Sequence, residues 1–221
     1  MIIAIDGPSG AGKSSVAKLL SKKLGLVYVD TGALYRTIGL YVYNKGIDKS
    51  ENDKIIACLP EIDLKLTFEN GSQHVLLNGN DVGDTIRTQT IAAYASAVSA
   101  IPEVRTFLLD TQRNIAKNSS IVMDGRDIGT VIFPNAEIKI FLTANDVSRA
   151  QRRLAELLEK GEDTTLEKVL AQMQERDRND STRATAPAIP AEDATILDNS
   201  ELDLEGTAGA ILEIIKGKGL L

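Results

Sequence analysis

The string Gly7-Pro8-Ser9-Gly10-Ala11-Gly12-Lys13-Ser14 constrains the fold of this chain more than any other feature. It matches the pattern G-x-x-x-x-G-K-[ST], and its neighbours supply the context that gives such a match meaning. Before it, Met1 to Asp6 reads as a buried strand; after it, Val16, Leu19, Leu20 and Leu24 recur at helical spacing. A strand, a glycine turn and a helix in that order bring successive backbone N–H groups to a positive helix terminus, which is an anion site. Lys13 then reaches the β- and γ-phosphates of a nucleoside triphosphate, and the Ser14 hydroxyl is placed to hold Mg²⁺.

The strand–helix rhythm continues. Gly25 is predicted to end the first helix, Leu26 to Val29 forms a second strand, and a helix follows from about Ala33 to Asn44. From about Ile62 the period changes to two: Leu64, Leu66 and Phe68 alternate with polar residues, Asn70-Gly71 supplies a hairpin turn and Val75 to Leu77 returns. Helical patterns occupy roughly Asp84 to Ala100 and Pro102 to Ala116. Ile121 to Asp124 and Ile138 to Thr143 read as buried parallel strands, with a helix from about Val147 to Lys160 ended by Gly161. Thr164 with Glu167 has the form of a capping box for a helix running to about Arg178. Thr195 to Leu197 is the last strand, and Glu205 to Lys216 the closing helix. The whole of 1–221 is thus expected to be one α/β domain with a mainly parallel sheet, carrying an antiparallel insertion at about 60–100.

Charge and cysteine content exclude several classes. With 31 acidic against 25 basic residues the net charge of −6 repels a nucleic-acid backbone, so no nucleic-acid partner is expected. The single cysteine, Cys58, has no partner for a disulfide within the chain, which fits a reducing cytoplasm, and the one histidine, His74, cannot build a His-based metal site. No apolar run approaches the length of a bilayer span, and no membrane association is expected. Six of the eleven arginines nevertheless fall between Arg149 and Arg183. Arginine suits bidentate contact with phosphates, although an arginine run is also what a solvated helix face looks like.

Since this phosphate loop serves many functions, other strings must decide the class. Ile121-Val-Met-Asp124 is an apolar strand ending in a carboxylate, the form of a residue that faces Mg²⁺ through its water shell. A guanine-reading N-K-x-D is missing, since Asn44-Lys-Gly-Ile-Asp48 has one residue too many. Asp30-Thr-Gly-Ala-Leu-Tyr-Arg36 is predicted at the carboxyl end of the second strand, where α/β sheets bind ligands, and there Arg36 is placed for an acceptor phosphate. Asp124-Gly-Arg-Asp-Ile-Gly-Thr130 and Glu175-Arg-Asp-Arg-Asn-Asp-Ser-Thr-Arg183 add alternating carboxylates and guanidinium groups.

Taken together, these strings resemble the bacterial cytidylate kinase family, and the similarity covers nearly the whole chain. The resemblance implies a P-loop kinase core with a five-stranded parallel sheet flanked by helices. To this it adds an inserted monophosphate-binding subdomain at 60–100 with a small antiparallel sheet, and a short lid at 151–163. It implies transfer of the γ-phosphoryl group of ATP to CMP or dCMP, with Mg²⁺ as cofactor, by a cytoplasmic monomer. Gly7 to Ser14 together with Ser15 are expected to bind ATP, with Ser14 and, through water, Asp124 on the metal. Arg36, Arg126 and Tyr35 are expected to hold the CMP phosphate, and Thr31, Ser96, Arg105 and Asp127 to surround the base. Arg176, Asp180 and Arg183 are expected on the sugar or phosphate side. Because the attacking phosphate oxygen is already anionic, no general base is needed; Lys13, Arg126 and the lid arginines Arg152 and Arg153 are expected to neutralise charge in transfer. Two other readings remain at this point, a kinase with UMP, AMP or a non-nucleotide acceptor, and a nucleotide-dependent switch that signals through a partner.

Overall fold

The computed structural model describes residues 1–69, 72–159 and 161–221, with Ser72 described by its backbone alone. The expected Asn70-Gly71 turn and Lys160 lie outside the described residues. In chain order the first elements are β1 (Ile2–Asp6), α1 (Lys13–Leu24), β2 (Val27–Asp30), α2 (Thr31–Asn44) and α3 (Asn52–Cys58). Next come β3 (Leu64–Glu69), β4 (Ser72–Leu77), β5 (Asn80–Asp81), α4 (Gln89–Val98) and α5 (Pro102–Ile115). β6 (Ile121–Asp124), β7 (Ile138–Thr143), α6 (Asp146–Glu159), α7 (Leu166–Thr182), β8 (Thr195–Asp198) and α8 (Leu204–Gly217) complete the chain. A parallel sheet has the order β2-β6-β1-β7-β8, and a separate antiparallel sheet the order β3-β4-β5. The chain divides into two compact units, Met1–Leu26 with Ile121–Leu221, and Val27–Ser120.

In the first unit, β1 and β6 are apolar without alternation because both faces of these strands are covered: Ile3, Ile5, Ile121, Val122 and Met123 are all fully buried. β1 pairs in parallel with β6 and β7, with Ile5 opposite Asp124 on one side and Ile140 on the other. The register sets Asp124, the end of β6, opposite Ile5, and Asp6, the end of β1, opposite Phe141, two residues before β7 ends. α1 buries Val16, Ala17 and Leu20 on one stripe and ends where Gly25, at φ 66°, donates its N–H to Ser21 O. α6 and α7 pack through Ala150, Leu157, Val169 and Met173.

The second unit has its own aliphatic core. Leu34, Ile38 and Val42 of α2, Ile91 and Val98 of α4, and Val104 and Leu108 of α5 meet Val75 and Leu77 of β4 and Cys58. Its antiparallel pairing places Leu64 opposite Leu77 and Phe68 opposite Gln73.

Several boundaries differ from the pattern of the sequence, each for a local reason. α2 begins at Thr31 because the Asp30 carboxylate accepts the Ala33 N–H at 3.1 Å and caps the helix as the chain leaves β2. The single helix expected over Asp84 to Ala100 is two pieces, a 3₁₀ turn Thr85–Arg87 and then α4. Thr88, extended at ψ 160°, interrupts it, and its hydroxyl accepts the Ile91 N–H at 3.2 Å to start the second piece. The cap of α7 is Thr165, not Thr164, with its Oγ1 facing the Lys168 N–H. α7 also runs past Arg178 to Thr182, the Thr182 hydroxyl donating back to Arg178 O at 2.7 Å. α3 is a two-turn helix too short to show a period.

α8 illustrates how much one cap contributes. Asp203 accepts the Gly206 N–H at 2.7 Å on an exposed surface. Replacing it with Ala is expected to lower unfolding free energy by about 1 kcal/mol, read as a shift of the urea midpoint at constant m-value. An unchanged midpoint would show that the cap carries no stability.

Candidate active site

The phosphate loop follows β1 without a spare residue. A Cβ on Gly7, at φ 145°, would lie 2.0 Å from Leu142 O, so only glycine permits the loop to leave the strand between its neighbours. Gly12, at φ 86°, is the N-cap of α1 and turns the chain into the helix whose first residues are Lys13, Ser14 and Ser15. Lys13 is buried, and its Nζ donates to Pro8 O at 2.6 Å. Burial first, and then the positive charge of Arg126, hold its ammonium well below the usual lysine range, with Asp124 opposing them. The Ser14 Oγ donates to Asp124 Oδ2 at 2.7 Å. A hydroxyl oxygen beside a carboxylate oxygen is a donor set suited to Mg²⁺, which takes one or two protein oxygens and completes its shell with phosphates and water.

The middle of the loop is clamped from two helices. Ser9 donates its N–H to Asp177 Oδ1 of α7 at 2.8 Å, while its carbonyl accepts from Arg149 Nη1 of α6 at 2.7 Å. Arg149 and Asp177 are themselves joined, and Arg149 also donates to Ala144 O at 3.1 Å and to Asp146 Oδ1 at 2.5 Å. The backbone of Ser9 is therefore fixed at both of its polar groups. Asn199, after β8, binds the next stretch: its Nδ2 donates to Ala11 O at 3.0 Å.

Beyond β6 lies a second charged group. Arg126 Nε donates to Asp180 Oδ2 at 2.9 Å, with Arg176 and Arg183 each 3.9 Å from the same carboxylate and Arg183 3.9 Å from Asp127 Oδ1. Asp127, Asp180 and the Arg183 side chain are buried. Burial pushes the Asp180 carboxyl up, but the three arginines together outweigh it and hold the group below its ordinary value. Arg183 Nε donates to Ala186 O at 2.7 Å, Ala186 taking a positive φ of 50° as the chain turns back after α7.

Arg152 and Arg153 follow Arg149 on α6. Arg152 donates to the carbonyl and the Oδ1 of Asn199, at 2.7 and 3.0 Å, and Arg153 pairs with Glu156 at 2.9 Å. Arg149, one turn earlier, is the α6 arginine that touches the loop.

In the second unit the expected residues fall on three helices. Thr31 is buried at the start of α2, and Tyr35 and Arg36 follow on the same helix. Arg105 of α5 lies 5.4 Å from the centroid of the Tyr35 ring, a cation–π contact, and donates to Ser99 O at 2.9 Å. The Ser99 hydroxyl donates in turn to the carbonyl of Ser96 on α4 at 2.9 Å. The end of β2 is held by Gln73 of β4, which accepts the Asp30 N–H at 2.8 Å and donates to Asp30 O at 3.1 Å.

The family model for cytidylate kinase matches residues 3–217. The chain belongs to that family. A cytidylate kinase of Caldicellulosiruptor saccharolyticus is 49% identical over 96% of this chain and 94% of its own length. One of Thermosipho melanesiensis is 48% identical over 98% and 97%. A solved structure of an uncharacterised protein from Eubacterium ventriosum, 16% identical, matches with a TM-score of 0.52 over 98% of both chains and supports the fold alone.

Of the residues in the strings of the sequence, Lys13, Ser14, Asp124, Arg126, Asp127, Asp180 and Arg183 are brought together in the first unit. Arg149, Asp177 and Asn199, which hold the loop's backbone, were not singled out. Asp177 did lie within the alternating array, at helical spacing from Asp180 and Met173, and that spacing was its only signal. Among the described residues no helix is long and apolar enough to cross a membrane.

Two measurements follow from these electrostatics. Lys13 is a desolvated cation beside a second cation, so Lys13→Met is expected to match or exceed the wild-type protein in stability without nucleotide, by about 1 kcal/mol. ATP should raise the melting temperature of the wild-type protein and not of the variant; a variant still stabilised by ATP would contradict the role of Lys13. For Asp180, whose native carboxyl lies below its unfolded value of about 3.8, stabilisation is complete above that value and lost as pH falls through the lower native one. The stability difference from Asp180→Asn should be flat from about pH 5 to 8, on the order of 3 kcal/mol, and shrink below about pH 4 in urea titrations. A difference that widened on acidification would reverse the assignment.

Proposed function

We infer that the protein transfers the γ-phosphoryl group of ATP to CMP or dCMP, releasing ADP with CDP or dCDP. Beyond family membership, one observation carries the reading: Lys13 is buried at the head of α1 and held well below the usual lysine range, because the nearby Asp124 and Asp177 do not offset burial and the charges of Arg126 and Arg176, so the site favours further anionic charge. Phosphate groups supply it.

The roles divide as follows in this proposal. Backbone N–H groups of Gly7 to Ser15 and the Lys13 ammonium bind the ATP phosphates. Ser14 and, through water, Asp124 would hold Mg²⁺, which when bound neutralises charge on the β- and γ-phosphates. Arg126, whose guanidinium direction is fixed by Asp180, meets the acceptor phosphate together with Arg36 and Tyr35. Thr31, Ser96, Arg105 and Asp127 surround cytosine, and Arg176, Asp180 and Arg183 face the sugar and phosphate. The anionic phosphate oxygen of CMP attacks the γ-phosphorus as the bond to the β-phosphate oxygen breaks, and no proton has to be removed. What the side chains contribute is alignment and charge. Residues 60–100 are proposed as part of the monophosphate-binding region and 151–163 as a lid. Closure would let Arg152 and Arg153 exchange their contacts with Asn199 and Glu156 for the transferred group and exclude water.

Cytosine offers an N4 amino donor where uracil offers a carbonyl, and a buried carboxylate accepts from the first and repels the second. A coupled ADP-release assay over CMP, dCMP, UMP and AMP should therefore show CMP and dCMP preferred. Asp127→Ala should narrow the CMP-to-UMP ratio of kcat/KM by on the order of tenfold or more, chiefly by impairing CMP. Equal use of UMP by the wild-type protein, or an unchanged ratio in the variant, would defeat this reading.

A further inference from the structure

Asp6, the last residue of β1, is a buried carboxylate that none of the roles above uses. Its Oδ1 accepts the Ile128 N–H at 2.8 Å and its Oδ2 the Gly129 N–H at 2.7 Å. These two N–H groups open the π-helical turn Ile128–Ile132, which follows Asp127 directly. The first N–H groups of any helical turn have no partner inside it, and the residue at the N-cap ordinarily supplies one. Asp127 occupies that position and is of a favoured type, yet its side chain makes no capping hydrogen bond. It lies instead 3.9 Å from Arg183. Asp6, more than a hundred residues away in sequence, caps the turn in its place.

We propose that Asp6 is a positioning residue for the acceptor side of the reaction: by capping the 128–132 turn it relieves Asp127 of that duty and holds the Arg126–Asp127 segment in the geometry that CMP meets. The inference rests on the CMP reading above and extends it. Gly129 is part of the same device. A Cβ there would lie 3.2 Å from Lys139 Cδ and 3.4 Å from Asp6 Oδ2. Lys139 has little freedom to yield, since its Nζ is fixed by Pro134 O and by both oxygens of Asp193, each at 2.8 Å. Glycine thus keeps the amide within reach of the carboxylate, which explains a residue of the Asp124 to Thr130 string with no contact of its own to offer a substrate. Burial raises the Asp6 carboxyl from 3.8 to about 6 against the pull of its two backbone donors, and the nearby Asp127 charge adds to the rise while Lys13 opposes it.

The test is steady-state kinetics of Asp6→Asn at fixed pH, with amide exchange measured by NMR. An amide side chain turns an N–H₂ group toward one of the two backbone donors, so the turn loosens and Asp127 becomes its nearest alternative cap. The expected result is a rise in KM for CMP of about tenfold or more and a reduced CMP-to-UMP ratio. KM for ATP should stay within about threefold, and Ile128 and Gly129 amides should exchange faster. Unchanged KM and selectivity for CMP in the folded variant would overturn the proposal, as would a parallel rise for both substrates, which would assign Asp6 to the phosphate loop. Should Asp6→Asn fail to fold, Gly129→Ala disturbs the same contact from the other side and must show the same split; wild-type kinetics there would equally overturn it. A wild-type protein inactive on CMP would refute the function reading itself, before any variant is compared.

Discussion

Holding charged groups of both signs at the carboxyl ends of β1 and β6 is the constraint around which the first unit is built. Lys13 is desolvated there, and Arg126 as well as Asp124 acts on its charge. Without a ligand that arrangement is unfavourable for Lys13, which has given up water while Asp124 and Asp177 offset the loss only in part, whereas Arg126 is paired with Asp180. The surrounding structure is organised to sustain it. Asp180 fixes Arg126, Asp177 and Arg149 fix the loop backbone at Ser9, and Asn199 fixes it at Ala11. All of these contacts are polar, and each removes a degree of freedom from the site that is to meet phosphate. Preorganisation of this kind, with stability sacrificed locally, is what phosphoryl transfer asks of a protein that has no covalent chemistry to perform.

Helices α6 and α7 have a second role that follows from the same contacts. α7 carries Asp177 and Asp180 one turn apart, the first on the donor loop and the second on Arg126. A rigid element that touches both groups keeps their separation constant, and in-line transfer depends on that separation more than on the strength of either binding interaction.

Much of this was legible in the sequence, and the exceptions have physical causes. The glycine string between an apolar strand and an amphipathic helix left few alternatives for residues 1 to 25, and the apolar runs of β6 and β7 could only be buried parallel strands. The arrays from Asp124 to Thr130 and from Glu175 to Arg183 named charged groups that the fold does assemble. What escaped were features decided by one hydrogen bond. Thr165 and not Thr164 caps α7, and Thr88 splits a helix that composition would continue. The turn after Asp127 is π-helical, and a carboxylate distant in sequence satisfies its first donors. Asp6 read as the end of a strand, and Arg149 as one charge in a solvated run, because the partner that defines each is remote in sequence.

Cys58 lends the molecule a different kind of use. It is the single thiol of the chain, it lies in the core of the second unit, and burial holds it above its ordinary range, so it is a poor nucleophile while that unit stays folded. Its rate of reaction with an external disulfide therefore reports opening of residues 27 to 120 without a label or a mutation. With no tryptophan present either, a fluorophore or indole introduced at any chosen surface position would give a signal free of background. The architecture that hides the one reactive sulfur also makes the protein a clean host for spectroscopic probes.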